Sequence, residues 1–288
     1  MFKYLIKLRK KLGNFVVKNF HRNYFSLLKI IYKIQGQPFI ISHFANIRNF
    51  GDNFNFDLLE HYGYRLIWTE DYKKSQVALT GSILGSYLRD FNGIVLGSGF
   101  IRERYNRVPN NWNVKLIRGP LSAKQCGVKN IPYGDPGLLA SDVYSKYKKF
   151  NEYKLGILPH SKDYDALKNK KFENVLIINP RLKSRQVASQ ISKCDKIVSS
   201  SLHGLIFADS FQIPNLHIIL SNKTTGKHHK FNDYYKGCQK KHNYIDFTKK
   251  EIVEKDINYL MDHCKQTFNA EELKELKTKL NKIFKTWL

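Results

Sequence analysis

The segment Lys196–Pro214 (KIVSSSLHGLIFADSFQIP) constrains the fold of this chain more than any other stretch. A short β-rich run, Lys196–Ser199, ends in small hydroxyl residues. His203-Gly204 then opens an apolar stretch at helical spacing (Leu205, Ile206, Ala208, Phe211), which Pro214 closes. A strand that passes through a tight turn straight into a helix belongs to a parallel sheet, because the helix must cross back over one sheet face before the next strand begins. The turn also places a histidine at a helix N-terminus, where free N–H groups and the positive end of the dipole attract anions. In open α/β sheets that carboxyl edge is where ligands bind, and an imidazole there can move protons near neutral pH.

The rest of the chain repeats the alternation. Strands are predicted at Phe39–Phe44, Arg65–Trp68, Gln76–Leu79, Gly93–Leu96 and Asn113–Arg118, with helices over Phe56–Tyr62 and between Gly119 and Gly127. Asp135-Pro136 reads as an N-cap followed by a first-turn proline. A polar Lys/Tyr-rich stretch follows, and then a second series: Lys154–Leu158, Asn174–Ile178, a helix over Ser184–Lys193, Lys196–Ser199, the His203 helix and Leu216–Leu220. The expected organisation is a basic amphipathic helical segment over 1–35, a Rossmann-like domain over 36–142 and a linker over 143–153. A second Rossmann-like domain follows over 154–247, with amphipathic helices over 248–288 that pack back on the body.

Composition narrows the functional classes. At 42% hydrophobic and 14% aromatic, 288 residues can bury one large core or two smaller ones. The four cysteines show neither CxxC nor zinc spacing, so reduced thiols are expected. No apolar run is long enough to span a membrane and no signal-peptide pattern is present, which points to a cytoplasmic protein. The formal charge of +25 implies an anionic partner. The basic residues are spread along the chain without a nucleic-acid-binding motif, so nucleic acid is not expected to be that partner. The first 20 residues combine lysines with Leu and Phe at helical spacing, and no acidic residue occurs before Asp52. Such a segment suits peripheral contact with an anionic membrane; the alternative is that its apolar face docks on the protein's own core.

Several short motifs carry candidate chemistry. In NFGDN, Asp52 can take a proton from a sugar hydroxyl, with Asn53 beside it; the alternative is a helix cap. Gly81-Ser82 and Gly97-Ser98 follow short strands and can bring backbone N–H groups close to an anion. They do not form a dinucleotide fingerprint, because Arg102 stands where the third glycine belongs. Arg118, Arg181 and Arg185 lie just past strand ends, with forks suited to carboxylate or phosphate. His160 ends the first strand of the second domain, and Ser200, Ser201 and Gly204 surround His203. His228-His229 reads as a flexible clamp over the ligand. No third ligand stands at metal spacing, so no metal site and no cofactor are expected.

SSSLHGLIFADSFQIP, together with NFGDN, RGPLSAKQCG, YGDPGLLA and ILPHSKDYD in that order, resembles the polysaccharide pyruvyltransferase family over Phe39 to Phe247. The resemblance implies two Rossmann-like domains in a GT-B-like arrangement with a cleft between them. It also implies transfer of the enolpyruvyl-derived unit of phosphoenolpyruvate to a sugar, usually as a cyclic ketal. His203 is then the catalytic histidine, delivering a proton in its protonated form, and Asp52 corresponds to the aspartate of the early GD motif. Many members carry a donor-binding arginine immediately before Leu-His, where this chain has Ser201. Arg181, Lys183 and Arg185 are the candidates to replace that cation. The competing enzymatic reading is a GT-B-like glycosyltransferase that uses a nucleotide sugar.

Overall fold

The computed structural model describes residues 23–44, 49–86, 91–103, 112–147, 150–223, 225–226 and 228–288. The basic segment over 1–20, with its expected membrane contact, lies outside the described residues. A helix over 23–34 (α1) leads into β1 (Phe39–Ser42), α2 (Phe50–His61), β2 (Arg65–Trp68), β3 (Val77–Ala78), β4 (Ile94–Leu96), β5 (Asn113–Leu116), α3 (Pro120–Cys126) and α4 (Ala140–Val143). The second series runs β6 (Tyr153–Leu158), α5 (Tyr164–Leu167), β7 (Val175–Ile177), α6 (Ser184–Ile191), β8 (Cys194–Ser199), α7 (Leu202–Ser210), β9 (Asn215–Ile219), α8 (His229–Gly237), β10 (Tyr244–Asp246), α9 (Asp256–His263) and α10 (Ala270–Trp287).

Each series makes its own five-stranded parallel sheet. The first has the order β2-β1-β3-β4-β5 and the second the order β10-β9-β8-β6-β7. Counted from the first strand of each lobe, both read 2-1-3-4-5, so the chain winds the same doubly wound topology twice. In each lobe the strand order reverses beside the first strand, between β1 and β3 and between β6 and β8. Ligands gather at the carboxyl ends of strands at such a switch point. The elements that leave those ends are α2 in the first lobe and α7 in the second.

The second sheet is apolar on both faces, as parallel strands must be when helices cover each side. Leu155, Ile157, Val198, Leu216 and Ile218 pack with Ile257 and Leu260 of α9 on one face. On the other, Leu158 and Ile197 join a core that runs without a break through α6 and α7 into Val95 and Leu96 of the first sheet. The lobes meet where α2 packs on α6 and where the turn Pro136–Leu139 packs on α7. Phe50 and Phe54 of α2 meet Phe207 of α7 edge-on, with ring centroids 5.4 and 5.1 Å apart. All three are fully buried, each contributing about 2–3 kcal/mol by leaving water. Helix α10 starts in a capping box at Asn269 and buries Leu273, Leu280 and Phe284. It reaches the first lobe, where Phe284 stacks on Tyr62 at 5.2 Å and Tyr62 donates to Asn281 at 2.6 Å.

Some local expectations shift. Helix α2 begins at Phe50, six residues before the expected start, because the Asn49 side chain accepts from the Gly51 N–H and caps it. Asp52 therefore sits inside the first turn rather than at the cap. After Asp135 the chain makes a 3-10 turn over Pro136–Leu139 before α4, and Asp135 does cap it, accepting from the Gly137 N–H. The segment around His228-His229 is no flexible clamp: α8 is a helix with Lys230, Phe231, Asp233, Tyr234 and Tyr235 buried.

Candidate active site

Helices α2 and α7, which leave the carboxyl edges of the two sheets, come together at Gly51 and His203. A Cβ on Gly51 would stand 1.8 Å from His203 Nδ1, so only glycine lets α2 seat against the imidazole. His203 lies in the first turn of α7, behind Ser201 at the N-cap, and Phe50 meets its ring edge-on at 6.3 Å. Its Nε2 is buried and has no hydrogen-bond partner among the described residues. Burial, reinforced by the charges of Lys230 and Arg118 and by His160, pushes its pKa down to about 3. In the ligand-free protein these effects favour the neutral imidazole over the protonated form that His203 is expected to use. It acquires that proton only if an arriving anion reverses the local potential.

Asp52 is buried on the first-lobe side, 3.1 Å from where a Cβ on Gly81 would stand. Gly81 itself has φ +125°, a backbone conformation that excludes other residues. Its position is fixed on two sides. Asn55 of α2 exchanges two hydrogen bonds with the backbone of Thr80, and Ser98 donates to the Gly81 carbonyl at 2.8 Å.

Two buried cations complete the cluster. Arg118 follows β5 and is fully buried. It donates from Nε to Asp233 Oδ2 at 3.0 Å, from Nη1 to Ser82 Oγ at 2.6 Å and from Nη2 to the Phe100 carbonyl at 2.6 Å. Asp233 also accepts from the Ser122 backbone and hydroxyl, so its carboxylate joins the lobes as well as holding the guanidinium. Lys230, on α8, is 8% exposed and makes no ion pair or hydrogen bond among the described residues. Burial lowers its pKa to about 8, Arg118 and Lys162 push the same way, and Asp52 partly restores it. On the second-lobe side, burial and the charges of Lys230 and Lys162 lower the His160 pKa to about 4.

The remaining candidates separate into supports and outliers. Ser200 accepts from the His160 backbone N–H at 2.8 Å and donates to Asp163 at 3.2 Å, which fixes the loop carrying His160. Asn53 Oδ1 accepts from Ser184 at 3.4 Å, at the contact of α2 with α6. Gly97 backs onto Pro136, and Gly204 onto Ser199 and Leu158, so their close approaches are to protein atoms. Arg181 and Arg185 are exposed; the first forks onto Asp165 at 3.1 and 2.6 Å and the second pairs with Asp57 at 3.1 Å. Lys183, exposed at the N-cap of α6, is likewise no buried cation. Among the described residues, the buried cations near His203 are Arg118 and Lys230. Sequence reasoning missed Lys230, whose only signal was its place in KHHKFNDYY. It also treated Asp135 as a cap alone, whereas this carboxyl is fully buried and burial raises its pKa to about 6. A cavity of about 490 Å³ between Asp142, Phe211 and Lys277 lies away from these residues.

The sequence model of the family described as polysaccharide pyruvyl transferase matches residues 3–222. The chain belongs to that family. Two curated relatives were also found. A succinoglycan biosynthesis protein, ExoV, of Rhizobium meliloti (strain 1021) is 29% identical over 181 residues, covering 58% of this chain and 54% of that protein. An uncharacterised protein, L143, of Acanthamoeba polyphaga mimivirus is 32% identical over 167 residues, covering 54% of this chain and 57% of its own length. The chain thus matches just over half the length of these relatives. For this polysaccharide pyruvyl transferase family member, the matched residues include both switch points, His203 and Asp52, and stop before α8 with Lys230.

Proposed function

We propose that this protein transfers the pyruvyl unit of phosphoenolpyruvate, as a ketal, to a sugar of a cell-surface polysaccharide or its lipid-linked precursor. The observation that carries this reading is the buried cluster of Arg118, Lys230 and His203 facing Asp52 where α2 and α7 come together. A donor with a carboxylate and a phosphate on adjacent atoms suits two cations and an imidazole at the mouth of a helix. On this reading Lys230 takes the place of the arginine that the family pattern puts at Ser201. The two lobes act as in GT-B-like transferases, with the acceptor on residues 36–142 and the donor on 154–247.

The chemistry follows from the charges. Donor binding raises the pKa of His203 and lets it carry a proton. A sugar hydroxyl adds to C2 of the donor, its proton passes to Asp52, and C3 takes the proton of His203, so C2 becomes tetrahedral. The C2–O bond to phosphate breaks with Arg118 and Lys230 holding the leaving charge. The proton held by Asp52 passes to the departing phosphate, a second hydroxyl closes on C2, and its proton returns to His203. The products are the cyclic ketal and inorganic phosphate.

Contact with an anionic membrane would bring the enzyme to a lipid-linked acceptor on the cytoplasmic face. This is supported by α1, which exposes Leu27, Ile30 and Ile34 beside Lys29 and Lys33. No helix among the described residues is long and apolar enough to cross a membrane.

The test is a thermal-shift comparison followed by turnover. Phosphoenolpyruvate at 100 times its Kd should stabilise the protein by about 2.7 kcal/mol, and a uridine or cytidine diphosphate sugar should not. Phosphate release with an oligosaccharide or lipid-linked acceptor should fall at least ~100-fold in His203→Ala. Stabilisation by the nucleotide sugars and not by phosphoenolpyruvate would replace this reading with the glycosyltransferase one.

A further inference from the structure

Behind the donor side of the second sheet lies a group of histidines that the reaction above does not use. His217 is on β9, paired in register with Ser199 of β8; His228 immediately precedes α8; and His242 precedes β10. One ring nitrogen from each lies within 4.8 Å of the others. We propose that His217, His228 and His242 form a binding site for one divalent transition-metal ion of the zinc class.

Four observations support it. First, the ligand set is chemically apt: three imidazoles with an open fourth position suit zinc, cobalt and nickel rather than magnesium or calcium. Second, an aromatic side chain packs against each ring. His217 stacks on Phe231 at 3.8 Å, His242 stacks on Tyr235 at 5.2 Å, and His228 lies against Tyr244 at 4.4 Å. Third, the Nδ1 of His228 is buried without a hydrogen-bond partner among the described residues, and such an orphan costs about 1–3 kcal/mol unless something satisfies it. Fourth, His228 and His217 open onto a cavity of about 410 Å³ that Asp246 and Ser200 also line. That gives a carboxylate to offset the ion's charge and room for a further ligand.

The outer contacts match what metal-binding histidines need. His242 Nδ1 lies 2.8 Å from Asn232 Oδ1, which fixes the proton on Nδ1 and leaves Nε2 as a lone pair. That lone pair lies 2.8 Å from His217 Nδ1, so in the metal-free protein one imidazole donates to the other. An ion at about 2.0 Å from each nitrogen in a tetrahedral site needs them about 3.3 Å apart. The pair opens by roughly half an ångström, His217 adopts its other tautomer, and His228 swings in. The ion would tie the start of α8 to the sheet, and α8 carries Lys230 and Asp233. The site stands on its own ligands whichever donor the enzyme uses.

The experiment is equilibrium dialysis of the full chain, free of any affinity tag and stripped with a chelator, against zinc chloride, with cobalt as a spectroscopic probe. One equivalent of zinc should bind with Kd below about 1 μM, and cobalt should give the visible bands of a tetrahedral site. His228→Ala should weaken zinc at least ~100-fold with circular dichroism unchanged, and Asn232→Ala roughly 10–100-fold. The paired exposed-site variant His61→Ala/His263→Ala should bind as the parent does. Absence of saturable zinc binding in the parent protein, or equal affinity in His228→Ala, would overturn the proposal. His242→Gln should weaken zinc likewise; if it does not fold, His228→Ala decides the matter alone.

Discussion

Replacing Lys230 by methionine, which keeps the length of the stem and removes the charge, should make the ligand-free protein more stable and the donor bind worse. Lys230 has an ordinary pKa of 10.5 and is lowered to about 8 in the fold, with burial as the main cause. A lysine whose folded pKa lies below its unfolded one binds its proton more weakly in the native state. The penalty is therefore complete below pH 8, is relieved as pH rises from about 8 towards 10.5, and has vanished above that. The difference between 10.5 and about 8 corresponds to about 3 kcal/mol at about 1.4 kcal/mol per decade. Urea unfolding of both proteins from pH 7 to pH 10 measures it. The stability advantage of Lys230→Met should shrink by about 2–3 kcal/mol across that range, because the parent sheds its proton and the variant has none to shed.

The same substitution should cost phosphoenolpyruvate binding roughly 10–100-fold, the worth of one charge-assisted contact in a dry site. Gain in stability and loss of donor binding must appear together. A stability difference that stays flat from pH 7 to 10 would refute the reasoning, since it would mean that Lys230 reaches solvent in the native state. Unchanged donor affinity beside the expected pH dependence would leave the buried cation in place and remove its role.

Two other predictions rest on different parts of the molecule. Gly51→Ala puts a methyl where His203 Nδ1 now lies, so either the ring or α2 must move. Turnover should fall ~100-fold, as for an ångström-scale misplacement of a catalytic group, with about 1–3 kcal/mol lost from stability; wild-type turnover would show that His203 is not seated by α2. Deletion of Met1–Asn19 should release the protein from phosphatidylserine vesicles in co-sedimentation, because each lysine near such a surface contributes about 1 kcal/mol; retained binding would refute the anchor.

The strands were legible because their signal is local. Arg65–Trp68 appears within the expected bounds, and β8 passes into α7 at the hydroxyl turn, because β-branched runs and a following helical period read the same in any context. α8 was not legible, for a physical reason: several of the residues it buries are polar. Lys230, Asp233, Tyr234 and Tyr235 face inward, so the hydrophobic period that marks a helix is weak in KHHKFNDYY. Strand β10 has three residues and no buried one, which leaves no alternation to read. His217 and His242 stand 25 residues apart in sequence and meet only because β9 and β10 pair in parallel. Candidate-site residues on the two switch points could be named from spacing; those that depend on how the lobes close could not.

The closure also explains why the cluster is arranged as it is. Asp233 is committed to Arg118 and Ser122, so it cannot also neutralise Lys230, and the attraction of Asp52 offsets only part of the burial penalty on that ammonium. Burial, with the same positive potential behind it, disfavours the proton on His203. A fold selected for stability alone would place a neutral residue at 230 and keep the aromatic contact of Phe50, Phe54 and Phe207 between the lobes. On the proposed function, a desolvated cation beside a neutral histidine suits a ligand that brings its own negative charge: its binding would stabilise the lysine, return the proton to the imidazole, and so arm the acid only when there is a donor to protonate.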